Sequence, residues 1–337
     1  MSIGNYVCKI GSLIVTLRNP YFFLYRIFHY LNRNVPRSLA SFIYRKNVED
    51  YQKRSNADFL IDTYDKGGQT VHPDMIFWNN EYWLVTTPYP YGMEEYENPC
   101  IYHGSSLDNL QVPEAPIAIQ PKHAPGIHLS DPCFAKKGDD LYCYYRESVR
   151  HGKIEDQKIW EVMYQKSNKV WSEPRLLLSS SKDKVLSPAI IYDNEGSLHV
   201  YYVSTLNNAF TLVREQIRTD ENVVEALSIS GMPEGWDLWH IGISKMEDID
   251  ESENNKQKLA GLFLVKTKQK GQGLRLFEAH SENWGLDWQI IKEIKAPHSI
   301  EEEIIFPYKS CFIPNGKGAV VFSFRDKKSR NRLCILK

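Results

Sequence analysis

From residue 62 onward the chain alternates short apolar runs with polar, turn-forming residues, at a spacing that suits strands and not helices. Five segments repeat one form: a Pro or polar anchor, an apolar strand, a turn, then an aromatic strand. The first runs from His72-Pro73-Asp74-Met75-Ile76-Phe77 to Tyr82-Trp83-Leu84-Val85, and the second from Ser130-Asp131-Pro132-Cys133-Phe134 to Leu141-Tyr142-Cys143-Tyr144-Tyr145. The third runs from Ser187-Pro188-Ala189-Ile190-Ile191-Tyr192 to Leu198-His199-Val200-Tyr201-Tyr202. The fourth joins Trp239-His240-Ile241-Gly242-Ile243 to Ala260–Val265 across an acidic loop, and the fifth joins Pro307–Phe312 to Ala319–Ser323. The anchors recur about every 50–70 residues, the length of one four-stranded propeller blade. Between them, Trp160–Tyr164 with Trp171 and Leu274–Glu278 with Trp288 read as outer hairpins. The pattern predicts an all-β chain, a five-bladed β-propeller over 61–337.

The first 60 residues have a different texture, which predicts a short helical extension. Residues 1–47 carry Lys9, Arg18, Arg26, Arg33, Arg37, Arg45 and Lys46 and no acid, among many aromatic and aliphatic residues. Arg18 and Arg26 interrupt the apolar runs before either reaches the length of a transmembrane helix. Two readings stay open: an amphipathic helix on an anionic membrane surface, or a helix packed on the propeller with its arginines solvated.

Composition narrows the function. Aromatic residues make up 12% of the chain, which suits β-sheets and planar ligands such as sugar rings. Net charge is −1 with a pI near 6.8, which argues against nucleic acid as a partner. The six cysteines form no CxxC pair, so neither a zinc knuckle nor a disulfide framework is expected. A reducing, cytoplasmic setting follows, peripheral at the inner face of the membrane if the basic extension binds lipid. Phosphate-loop, dinucleotide, zincin and nucleophile-elbow motifs are missing from the sequence, and no metal or cofactor is expected.

Propeller geometry carries the heads of the inner strands to the mouth of a central throat. Asp74, Asp131, Ser187, His240, Tyr308 and Lys309 are expected in an inner ring. Glu97, Asn98, Arg146, Glu147 and Arg325 are expected around it, with Trp239 beside His240. Carboxylates, cations and aromatics converging on a funnel make a candidate site for an oligo- or polysaccharide.

The Asp at the head of an inner strand in blades one and two resembles the five-bladed propellers of glycoside hydrolase family 43 and its relatives in families 32, 62, 117 and 130. The stretches Thr87-Pro88-Tyr89-Pro90, Tyr96-Glu97-Asn98-Pro99, Ser130-Asp131-Pro132, Leu186–Ala189 and Trp239-His240 are also similar to bacterial and phage propellers of that superfamily. The resemblance spans about residues 70–337. It implies a blade-one Asp as general base, a blade-two Asp that orients and tunes, and a blade-three Glu as acid. Asp74 and Asp131 would fill the first two roles, taken as equivalent repeat positions. Ser187 stands where the acid belongs, which leaves Glu97, Glu147, Glu215 or Asp237 to supply it, or none. Two function classes follow. One is a glycosidase-like enzyme, or a related phosphorylase or transferase, acting on a bacterial surface polysaccharide or its precursor. The other is a non-catalytic sugar-binding propeller serving in envelope-polysaccharide assembly.

Overall fold

The computed structural model describes residues 63–64, 68–90, 96–118, 127–151, 154–181, 183–206, 209–249, 258–268, 273–296, 304–327 and 330–336, with Phe42 and Ile61. The predicted helical extension and the membrane-surface reading of residues 1–47 therefore lie outside the described residues, Phe42 apart. The described strands form five separate sheets, one per predicted repeat.

Blade one consists of β1 (Thr70–Trp78), β2 (Glu81–Pro88) and β3 (Cys100–Gly104). Blade two consists of β4 (Ile127–Lys137), β5 (Asp140–His151) and β6 (Ile154–Gln165). Its outer edge is split into β7 (Val170–Trp171) and β8 (Arg175–Ser180), both paired to β6. Blade three is β9 (Val185–Tyr192), β10 (Leu198–Ser204), β11 (Thr211–Ile217) and β12 (Val223–Ala226). The short β13 (Ser228–Ser230) runs parallel to the outer strand of blade four. That blade is β14 (Trp236–Lys245), β15 (Leu259–Thr267), β16 (Leu274–Ser281) and β17 (Asp287–Ile294). Blade five has a broken inner strand, β18 (Ile304–Pro307) and β19 (Cys311–Phe312), followed by β20 (Val320–Asp326) and β21 (Asn331–Leu336). Within each blade successive strands pair antiparallel, as hairpin-linked sequence neighbours do.

No blade can bury both faces alone, so each packs on the next. Five apolar clusters lie between consecutive blades: Ile76, Trp83 and Phe134 between one and two; Tyr144, Ile190 and Val200 between two and three. Tyr201, Ile241 and Phe263 fill the joint between three and four, and Leu262, Phe312 and Phe322 that between four and five. Met75, Leu84, Cys311 and Val321 fill the joint between five and one, so the ring closes. There Asn331 donates its main-chain N–H to Gln69 Oε1 at 3.1 Å and its side-chain amide to the Tyr89 carbonyl at 2.6 Å. Close approach of blades requires a glycine at one point: a Cβ on Gly242 would lie 2.6 Å from the Ser310 carbonyl oxygen.

The described cysteines, Cys100, Cys133, Cys143, Cys311 and Cys334, are buried free thiols. Among the described residues no helix is long and apolar enough to cross a membrane.

Candidate functional site

The inner strands of blades one to three share a device that aims their side chains at the throat. In each, an X-Pro pair interrupts the ladder, because proline has no N–H to donate and the strand must bulge there. The register jumps between Val71 and Asp74 in β1 and between Ser130 and Cys133 in β4; in β9 it jumps between Leu186 and Ala189. The residue before each proline has positive φ: His72 at 55°, Asp131 at 50° and Ser187 at 51°. Few non-glycine residues hold that conformation, and three at one repeat position mark a built feature.

The blade-one residue equivalent to Asp131 is therefore His72, not Asp74. This corrects the expectation from sequence. Asp74 sits two residues further along β1, level with Cys133 and Ala189. Its Oδ2 accepts the main-chain N–H of Phe134 in blade two at 2.6 Å, fastening one blade to the next. Burial pushes its carboxyl up to about 6, against the Phe134 N–H and the Lys309 charge, which pull it down.

Asp131 is fully buried at the centre of the throat. Its Oδ2 meets the Arg146 guanidinium at 3.0 Å, and its Oδ1 lies 3.5 Å from His72 Nε2 and 3.4 Å from His240 Nδ1. Burial alone would raise its pKa, but His72, Arg146 and His240 together hold the carboxyl well below the usual carboxylate range. Arg146 is itself fixed, donating to Gln157 Oε1 at 3.2 Å and to the Ser130 hydroxyl at 2.9 Å. Burial lowers the pKa of both His72 and His240, with Asp131 pulling the other way. The Tyr308 ring stands 5.3 Å from His72 and 5.1 Å from His240, half-buried on the broken inner strand of blade five.

Glu97 and Asn98 are both buried on the loop between β2 and β3. Glu97 Oε1 is 4.0 Å from His72 Nδ1, and its carbonyl accepts the Leu129 N–H, which ties the loop to blade two. One imidazole ring thus separates Glu97 from Asp131, which keeps the two carboxyl groups within roughly 10 Å of each other, compatible with the wider of the two glycosidase spacings. Lys309 is buried and acts electrostatically on His72, Asp74 and His240. Arg325, half-buried on β20, acts electrostatically on Tyr308.

Other expected members differ in what their side chains do there. Ser187 occupies its ring position, but its hydroxyl is spent on backbone: it donates to the Ile241 carbonyl at 2.8 Å and accepts the Ile241 N–H at 3.1 Å. Glu147 follows Arg146 on β5, so strand alternation turns it to the other face, where Lys158 holds it at 3.0 Å. Trp239 stands beside His240 as expected, its ring edge-on at 5.6 Å between centroids; its other contacts are Phe210 and the Lys266 ammonium, 3.9 Å from its ring centroid. Glu215 is bound within blade three by Tyr202 and Asn222, and Asp237 pairs with Lys268 at 3.3 Å. Of the four candidate acids only Glu97 abuts the throat. His72 was not expected there, although alignment on the repeated X-Pro pair would have found it. A separate groove of about 210 Å³, lined by Trp83, His103, Tyr164 and Trp171 among others, lies on the outer strands of blades one and two.

The architecture has many solved counterparts. A xylan β-1,4-xylosidase from Bacillus halodurans C-125 superposes with a TM-score of 0.58 at 14% identity over 79% of this chain, which covers 52% of that protein. An α-L-arabinanase mutant from Cellvibrio cellulosa gives 0.54 at 14% identity over 80% of this chain and 91% of its own. An α-L-arabinofuranosidase from Lactobacillus brevis gives 0.53 at 9% identity, over 79% and 90%. The chain shares their five-bladed fold. The structure agrees with the resemblance drawn from sequence, and identities this low speak to architecture alone. No protein-family model matches the sequence, and no curated protein matches it.

Proposed function

We propose that this chain is a carbohydrate-active propeller whose throat is furnished to recognise an oligo- or polysaccharide. One observation carries the reading. Of the three ring positions marked by the X-Pro bulge, only Asp131 keeps a carboxyl group; His72 replaces one acid and Ser187, bound to Ile241, the other. The resemblance to glycoside hydrolases implies an acid and a base in blades three and one, and both are replaced. What remains suits binding. Tyr308 offers an aromatic edge at the throat, while Glu97 and Arg146 converge on it from a loop and a strand. Lys309 and Arg325 add positive charge on the blade-five side, where an acidic sugar would be favoured.

A second reading rests on Glu97. Its carboxyl lies beside His72, one imidazole ring from Asp131, and in this reading Glu97 and Asp131 act as the hydrolytic pair in place of Asp74. One experiment separates the two. The full chain is screened against a panel of neutral and acidic polysaccharides for binding by calorimetry and for release of reducing ends. Binding without turnover supports the recognition reading. Turnover that Glu97→Gln abolishes while binding persists establishes the hydrolytic one. Neither binding nor turnover across the panel refutes both.

A further inference from the structure

Three buried atoms in the throat face one another with no hydrogen bond among them. They are His72 Nε2, Asp131 Oδ1 and His240 Nδ1, on residues 3%, 0% and 5% exposed. The oxygen is 3.5 Å from one nitrogen and 3.4 Å from the other, and all three lie within 4.8 Å of one another. Those separations are long for N–H···O bonds, which cluster near 2.9–3.0 Å. They match two donors held at about 2.0–2.1 Å on one tetrahedral ion, which stand roughly 3.4 Å apart.

The surroundings orient two of these atoms, those of His72 and Asp131. His72 Nδ1 lies 3.0 Å from the Thr87 hydroxyl, which in turn donates to the Val71 carbonyl. Thr87 therefore accepts from His72 Nδ1–H, and Nε2 is left as the bare nitrogen aimed at Asp131 Oδ1, one acceptor against another. An outer-shell hydrogen bond of this kind is how metal-bound histidines are usually held. Arg146 occupies Asp131 Oδ2, so Oδ1 alone is presented.

We propose that His72 Nε2, His240 Nδ1 and Asp131 Oδ1 bind a divalent first-row transition cation of the zinc class, with the remaining position left for water or a ligand oxygen. Two imidazoles in three donors select against calcium and magnesium, which take oxygen ligands. Arg146 and Lys309 oppose the ion's charge; Asp131 itself, with Glu97 and Asp74 nearby, offsets them. The ligands come from blades one, two and four, so the ion would fasten three blades across the throat. The proposal stands whether or not the throat binds a saccharide.

The test uses the full chain without a polyhistidine tag, stripped with chelator and titrated separately with Co²⁺, Zn²⁺ and Ca²⁺. The expected result is one Co²⁺ per chain with visible d–d absorption, displaced by Zn²⁺, and a thermal midpoint that rises with Zn²⁺ but not with Ca²⁺. His72→Ala and His240→Ala should each weaken Co²⁺ binding at least 100-fold, whereas His280→Ala, on the rim of blade four, should bind as the parent does. X-ray absorption of the wild-type Zn²⁺ form should show imidazole scattering, which decides the matter if a throat variant fails to fold. Absence of Co²⁺ absorption in the folded parent, binding that survives in both folded histidine variants, or a preference for Ca²⁺ over Zn²⁺ would overturn the assignment.

Discussion

Replacing Ser187 with alanine removes one hydroxyl from a position with no exposed surface, and what that hydroxyl touches sets the consequence. It both donates to the Ile241 carbonyl and accepts the Ile241 N–H, at 2.8 and 3.1 Å. The variant would leave two main-chain groups of blade four buried and unpaired. Each such group costs about 1–3 kcal/mol, so a total near 3 kcal/mol is expected. At about 2–4 °C per kcal/mol for a domain of this size, the thermal midpoint should fall by roughly 6–12 °C. The assay is calorimetric unfolding of parent and variant, with amide exchange at Ile241 followed separately. Exchange there should accelerate, while saccharide affinity of the folded variant at low temperature should match the parent. If the midpoint moves by less than about a degree and affinity collapses instead, Ser187 contacts the ligand and its hydroxyl does not serve to dock blade four.

Asp74→Asn should unfold within about 1 kcal/mol of the parent, since the amide oxygen still accepts the Phe134 N–H, whereas Asp74→Ala should lose about 1–3 kcal/mol. Denaturant titration of the pair tests this, and equal stabilities would show that the inter-blade bond carries nothing. Gly242→Ala should cost roughly 1–3 kcal/mol, because the new methyl meets the Ser310 carbonyl and blades four and five must part; urea midpoints would read it. Asp193 is held below the ordinary carboxylate value, where His199 and the Ser197 and Glu195 N–H groups outweigh its partial burial. A depressed acid adds stability above its unfolded pKa and loses it as pH falls through the folded one. The advantage of the parent over Asp193→Asn should therefore be present at pH 7 and shrink below about pH 4, as thermal midpoints across that range would show.

The ring of blades was legible because its causes are local. Each inner strand opens on an anchor, each second strand carries aromatic residues, and that repetition is visible at a spacing of about one blade. The throat was less legible, because its alignment depends on where a strand bulges. Matching Asp74 with Asp131 by residue type overlooked the prolines, which put His72 in register instead. Glu147 was misplaced for a related reason, since its neighbour Arg146 already takes the inward face of β5. Glu97 and Asn98 could be found because their loop follows directly from the end of β2. That Ser187 turns its hydroxyl on a neighbouring backbone is a long-range fact, set by how blade four docks, and no local pattern encodes it.

The joint between blades five and one has a mechanical consequence. Among the described residues each sheet is built from its own stretch of chain, so no strand is shared across that joint; packing and side-chain contacts hold it, among them two hydrogen bonds of Asn331. A ring closed this way behaves like a split washer. Opening it would part packed side chains and leave every described sheet paired within itself. Tyr308 and Lys309 belong to the blade at the split, so such an opening would widen the throat from their side.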